Sequence, residues 1–113
     1  KEQLFRSRSW ASVCLDIIQE LPKQVYLSFD IDGLDPKLCP NTGTPVPGGL
    51  EFEQATFLIE MLVRSGKKII GFDINEVAPG NAHDEWDGNV GARLLYKMCN
   101  LAAVSNGLAS WSK

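Results

Sequence analysis

Val25-Tyr26-Leu27-Ser28-Phe29-Asp30-Ile31-Asp32-Gly33-Leu34-Asp35-Pro36 decides the fold. A β-prone apolar run ends abruptly in three acidic residues, a glycine and a proline. The run Val25 to Phe29 predicts a central strand covered on both faces. Two carboxylates at i and i+2 of an extended strand point the same way, about 6–7 Å apart along the backbone. An unpaired buried charge is very costly, and such a pair repels itself unless a cation sits between. A divalent metal satisfies both constraints.

Outward from that stretch, helices and strands alternate. Ser9 is placed to cap a helix running to about Leu21, with Trp10, Val13, Cys14, Ile17, Ile18 and Leu21 on one face. Asp30 to Gly49 carries Pro36, Pro40, Pro45 and Pro47, which bar helix and central strand and predict a stiff, shaped loop. Glu51 to about Arg64 predicts a second helix, with Glu51 and Glu53 at its positive end and Gly66 beyond its other end. Ile69-Ile70-Gly71-Phe72-Asp73-Ile74 predicts a second buried strand, closed by another acid, Glu76. A loop from Val77 to about Asp87 and a third helix from Asn89 to about Ala103 follow, with Val90, Leu94, Leu95, Met98 and Leu101 inward. The order implies parallel strands joined by crossovers, a three-layer α/β/α fold with ligands at the carboxyl ends of the strands. Both acidic clusters lie there.

Bulk properties narrow the class. The chain has 113 residues, 44% hydrophobic and 22% charged, the composition of a globular domain. A net charge of −3 gives no reason to expect nucleic acid or an anionic membrane as partner. No apolar run has the length of a membrane span. Cys14, Cys39 and Cys99 are scattered without disulfide or zinc spacing, so reduced thiols and a cytoplasmic location are expected. Lys1 to Arg8 is a polar lead-in without an initiator Met, and a piece of a longer protein is expected.

Three site families begin with Asp-x-Asp. A calcium loop of the EF-hand type needs an oxygen ligand, Gly and Glu at its fifth, sixth and twelfth positions. Leu34, Asp35 and Asn41 stand there, and the match fails. Asp30-Ile31-Asp32-Gly33 is similar to the haloacid-dehalogenase type of phosphatase, but Leu34 follows and no later paired acidic motif occurs. The third match is longer. Ser28-Phe29-Asp30-Ile31-Asp32-Gly33-Leu34-Asp35-Pro36, then Pro40, Thr42-Gly43-Thr44-Pro45 and Gly48-Gly49, resembles the ureohydrolases, the family of arginase, agmatinase and formimidoylglutamase. Gly71-Phe72-Asp73-Ile74-Asn75-Glu76-Val77 followed by Pro79 resembles that family's later strand. The resemblance runs from about Val25 to about Ala103. Asn41 departs from it, standing where the family usually has Gly, Ala or Ser, and little consequence is expected because Asn tolerates unusual backbone angles.

The resemblance implies an arginase-like fold and the hydrolysis of a C–N bond in a linear amidine or guanidine. It implies two Mn2+ ions, with Asp30 and Asp32 among their ligands, and a substrate amidino group faced by Thr44 and Glu76. Hard oxygen ligands suit manganese, and a carboxylate suits a planar cation of forked N–H donors. The family's Gly-Gly-Asp-His and Asp-Ala-His-x-Asp segments, which carry its histidine ligands, do not occur in this sequence. Residues 1–113 therefore look like the C-terminal part of one ureohydrolase catalytic domain. By itself the chain is expected to be inactive and to bind Mn2+ weakly. The complete protein is expected to be a homo-oligomer. Two alternatives stay open: a non-catalytic fragment completed by a missing segment or another chain, and the phosphatase.

For the remaining polar residues the expectations are structural. Asp35 before Pro36 reads as a turn starter and Asp73 as a buried, hydrogen-bonded carboxylate. His83, the only histidine, reads as a loop residue. Trp86 reads as either a pocket-mouth or an anchoring residue. Residues 85–93 lean the reading toward formimidoylglutamase or an arginase-like protein.

Overall fold

The computed structural model describes residues 8–111. The lead-in residues Lys1 to Ser7, and Ser112 and Lys113, lie outside the described residues. The elements are α1 (Trp10–Gln19), β1 (Gln24–Asp30), α2 (Phe52–Arg64), β2 (Lys68–Asn75) and α3 (Trp86–Ser105). Two short 3-10 turns, Ile31–Gly33 and Pro36–Leu38, interrupt the long loop after β1. Ser9 caps α1 as expected, its hydroxyl accepting from Ser12 N at 3.1 Å. Glu51 caps α2, and its N–H donates to Gln54 Oε1 at 2.9 Å, a reciprocal cap written in Glu51-Phe52-Glu53-Gln54. α3 begins at Trp86, three residues before the sequence pattern predicts, because Asp84 Oδ1 accepts Trp86 N at 3.1 Å and starts the helix there.

β1 and β2 are parallel neighbours, paired from Gln24↔Lys68 to Asp30↔Asn75 with a register shift between Val25 and Tyr26. The fold is α/β with a parallel sheet. Ile18, Val25, Ile59, Leu62, Val63, Ile69, Leu94 and Met98 form one core between the helices and one sheet face. Burial of each such side chain contributes roughly 1.5–3 kcal/mol. The other sheet face is open among the described residues, which corrects the expectation that β1 is covered on both sides. Tyr26 is 58% exposed, Ser28 and Asp30 are exposed, and Val25, Leu27 and Phe29 turn inward. The stretch reads as a continuous apolar run only if Tyr26 and Ser28 are counted with it; by chemistry it alternates. Leu95, expected inward, is 46% exposed, and Ile17 is 41% exposed.

A second, smaller core sits under the loop: Ile31, Leu34 and Cys39 are fully buried against Ala55 of α2 and Val90 of α3. A parallel bridge joins Leu34 to Leu50, with Leu50 N donating to Gly33 O at 2.9 Å and Asp35 N donating to Leu50 O at 2.8 Å. The expected stiff loop is thus a closed, packed one. Among the described residues no helix is long and apolar enough to cross a membrane.

The α1 cap gives a direct stability test. Ser9→Ala removes the hydroxyl acceptor and should lower unfolding stability by about 1 kcal/mol. Urea denaturation followed by circular dichroism measures it.

Candidate active site at the carboxyl end of the sheet

The strands stop side by side. Asp30, the last residue of β1, pairs with Asn75, the last of β2, and Glu76 follows. The chain then leaves β1 in a 3-10 turn closed by Leu34 N donating to Ile31 O at 3.0 Å. Asp30 and Asp32 are therefore not two residues of one extended strand, as their spacing suggested. The 3-10 turn that starts at Ile31 bends the chain between them, and Ile31, fully buried, anchors that bend. Asp30 is exposed and Asp32 half-buried.

The loop returns over this corner. Thr44 Oγ1 donates to Asp32 Oδ2 at 2.7 Å. Thr42, buried, donates from Oγ1 to the Glu76 carbonyl at 2.9 Å. Glu76 has φ +66°, the one non-glycine residue with positive φ among the described residues. Such a conformation typically costs of order 1–3 kcal/mol and persists where its surroundings over-determine it. The structure thus places Asp30, Asp32, Thr44 and Glu76 at one end of the sheet, with Thr44 touching Asp32 directly. A depression of about 650 Å³ lined by Val77, Pro79, Asp84, Glu85 and Asn89 opens nearby. None of those four residues lines it.

Asp35 starts a turn as expected, accepting Lys37 N at 3.1 Å. Asp73 is hydrogen-bonded as expected but half-exposed, because it lies on the open sheet face. Tyr26 Oη (2.9 Å) and Ser28 Oγ (3.0 Å) donate to it, and Asn75 Nδ2 does so as well. His83 is exposed in the turn after Asn81. Trp86 is not a core anchor. It is 50% exposed, and its Nε1 donates to Lys37 O at 3.0 Å, tying α3 to the loop. Cys39 is fully buried in the small core, and burial pushes its thiol up.

A family profile described as "Arginase family" matches residues 3–100. The chain belongs to the arginase family.

Among relatives of this arginase-family chain, the N(1)-aminopropylagmatine ureohydrolase of Thermus thermophilus is 40% identical over 96 residues, covering 84% of the chain and 31% of the relative. The agmatinase of Pyrococcus horikoshii is 39% identical over 89 residues, covering 79% of the chain and 31% of the relative. A crystal structure of a hypothetical agmatinase from Burkholderia thailandensis superposes with a TM-score of 0.75 at 32% identity, covering 92% of the chain and 33% of that structure. The chain spans about a third of the length of the relatives it matches. The superposition confirms the arginase-like fold.

Sequence reasoning about this arginase-family chain missed Asn41. Far from being a bystander, it donates through N and Nδ2 to Asp87, each at 3.1 Å, and through Nδ2 to Asp84 at 2.9 Å. The signal was present as a departure from the family pattern together with two acids at the start of α3. Asp87, Val90 and Gly91 of residues 85–93 are buried, with Asp87 holding Asn41, while Glu85, Gly88, Asn89 and Ala92 face the depression.

Asp73 supplies a pH test in this arginase-family chain. Hydrogen bonds from Tyr26, Ser28 and Asn75 hold its carboxyl below the usual carboxylate range. Its contribution to stability is fully present above the ordinary pKa near 3.8 and is lost as pH falls through the lower folded value. The stability gap between the wild type and Asp73→Asn should therefore close as pH drops below that range. Urea midpoints measured from pH 6 to pH 2 report it.

Proposed function

We propose that this chain forms one wall of an active site that hydrolyses the guanidino C–N bond of a linear amine such as agmatine, with two Mn2+ ions held in part by Asp30 and Asp32. The observation that supports the reading is the position of Asp30, Asp32 and Glu76 just at or after the strand ends, with Thr44 Oγ1 donating to Asp32 Oδ2 at 2.7 Å. Carboxylate oxygens are the donors a hard divalent ion prefers, so the residues fit manganese in kind. Among the described residues no group of three or more His, Cys, Asp or Glu is arranged to hold a metal, so further donors are required.

When bound, the metal pair would supply a water acidic enough to react near neutral pH and positive charge against the oxygen developing on the amidino carbon. The protein residues do the positioning. Thr44 fixes the rotamer of Asp32 and keeps a hydroxyl lone pair for a substrate N–H. Glu76 offers a carboxylate to the forked donors of the guanidinium. The agmatine class, in place of the formimidoylglutamase or arginine leaning of residues 85–93, follows from the agmatinase and N(1)-aminopropylagmatine ureohydrolase relatives. The family match also favours this reading over the phosphatase. A cytoplasmic homo-oligomer whose catalytic domain includes residues 1–113 as its C-terminal part completes the proposal.

The test is urea release with Mn2+ from agmatine, N(1)-aminopropylagmatine and arginine, by the protein of the complete reading frame and by the 113-residue chain. Turnover of the agmatine-type substrates by the complete protein alone is expected. Turnover of none of them, or phosphate release from a generic phosphoester with Mg2+, contradicts the reading. Urea release by the 113-residue chain contradicts the shared-site part of it.

A further inference from the structure

Residues 41–44 are bound to three separate elements. Asp87, 1% exposed in the first turn of α3, receives Asn41 N on Oδ2 and Asn41 Nδ2 on Oδ1. Asp84 receives the same Nδ2. The next residue, buried Thr42, donates to the carbonyl of left-handed Glu76 at 2.9 Å. Two residues on, Thr44 donates to Asp32.

We propose that Asn41 and Thr42 are positioning residues: α3 holds Asn41 through Asp87, and Asn41 places the Thr42 hydroxyl where it keeps Glu76 in the left-handed conformation from which its carboxylate projects. The inference rests on Glu76 facing the amidino group. Two physical constraints support it. A buried carboxylate is stable only when its acceptors are filled, and one residue, Asn41, fills both oxygens of Asp87. Gly, Ala or Ser at position 41 would leave no side-chain amide donor for Oδ1. A non-glycine residue at positive φ is also kept there by its contacts, and Thr42 is the side chain that grips the Glu76 carbonyl.

The variants are Thr42→Val, which removes the hydroxyl at nearly constant volume, Thr42→Ser, which restores it, and Asn41→Ala, all in the protein of the complete reading frame loaded with Mn2+. Thr42→Val and Asn41→Ala should each raise KM for agmatine about tenfold, the lower end of what second-layer partners cost, with kcat little changed. Thr42→Ser should return KM to near the wild-type value. A residue with only a structural role would lower the melting temperature and leave KM alone, and KM within about twofold of wild type in both variants overturns the proposal. The Glu76 backbone 13C shifts, which report the left-handed conformation, separate the two readings. Should the wild type turn over no amidine, the functional reading fails, and these shifts alone decide the positioning claim. Loss of the left-handed signature in Thr42→Val supports it, and its retention in both variants overturns it.

Discussion

Asp32→Asn, in the protein of the complete reading frame, is expected to lose Mn2+ and to fall in kcat/KM on agmatine by about a hundredfold or more. Partners one layer outside a metal site commonly cost about 10–100-fold, and a direct ligand should cost at least the upper end. The substitution keeps the size of the side chain and leaves an oxygen able to accept from Thr44, now 2.7 Å away. What it removes is the negative charge, which is what a hard divalent cation binds. Asp35→Asn is the matched control three residues on. Asp35 accepts Lys37 N in a turn, so that variant should alter stability slightly and metal content not at all. Metal analysis after gel filtration, alongside steady-state kinetics, distinguishes the two carboxylates. Equal metal content in wild type and Asp32→Asn would contradict the assignment of Asp32 as a ligand.

Gly49→Ala is expected to destabilise the chain by about 3 kcal/mol, the upper end of the usual overpacking range, because backbone and not a flexible side chain obstructs the new methyl. A Cβ at position 49 would lie 2.3 Å from both C and O of Leu34 and 2.7 Å from Asp35 N. Those atoms belong to the bridge that closes the loop onto itself, and Leu34 is fully buried in the small core beneath. Relief requires breaking the Leu50 N to Gly33 O and Asp35 N to Leu50 O hydrogen bonds. The melting temperature should fall by roughly 10–20 °C for a chain of this size. Gly33→Ala is the control, since a Cβ there meets nothing within 4 Å and its φ is not left-handed. It should leave the melting temperature nearly unchanged. Equal effects of the two substitutions would contradict the closed-loop description.

The strands and helices were legible because their signals are local. Ser9 and Gly66 punctuate them, and period and length do the rest. The corner at Asp30 was only half legible. Its composition announced an acidic site, yet spacing alone put Asp30 and Asp32 on one strand. The turn depends on Ile31 entering a core made with Ala55 and Val90, residues distant in sequence. Asp73 was legible as hydrogen-bonded and not as half-exposed, because exposure depends on what lies over the sheet, which period-2 reasoning within one strand does not reveal. Asn41 was seen only as an exception. Its partners lie 43 and 46 residues away, and no local rule links an amide in a proline-rich loop to two acids at the start of a helix.

The account turns on Asp30 and Asp32 sharing a pair of metal ions at the end of the sheet. Anomalous diffraction at the manganese edge, from crystals of the protein of the complete reading frame grown with Mn2+, tests it most directly. Two peaks about 3.5–4 Å apart within coordination distance of both carboxylates are expected. No manganese within reach of Asp30 and Asp32 in an enzyme that turns over agmatine would contradict it.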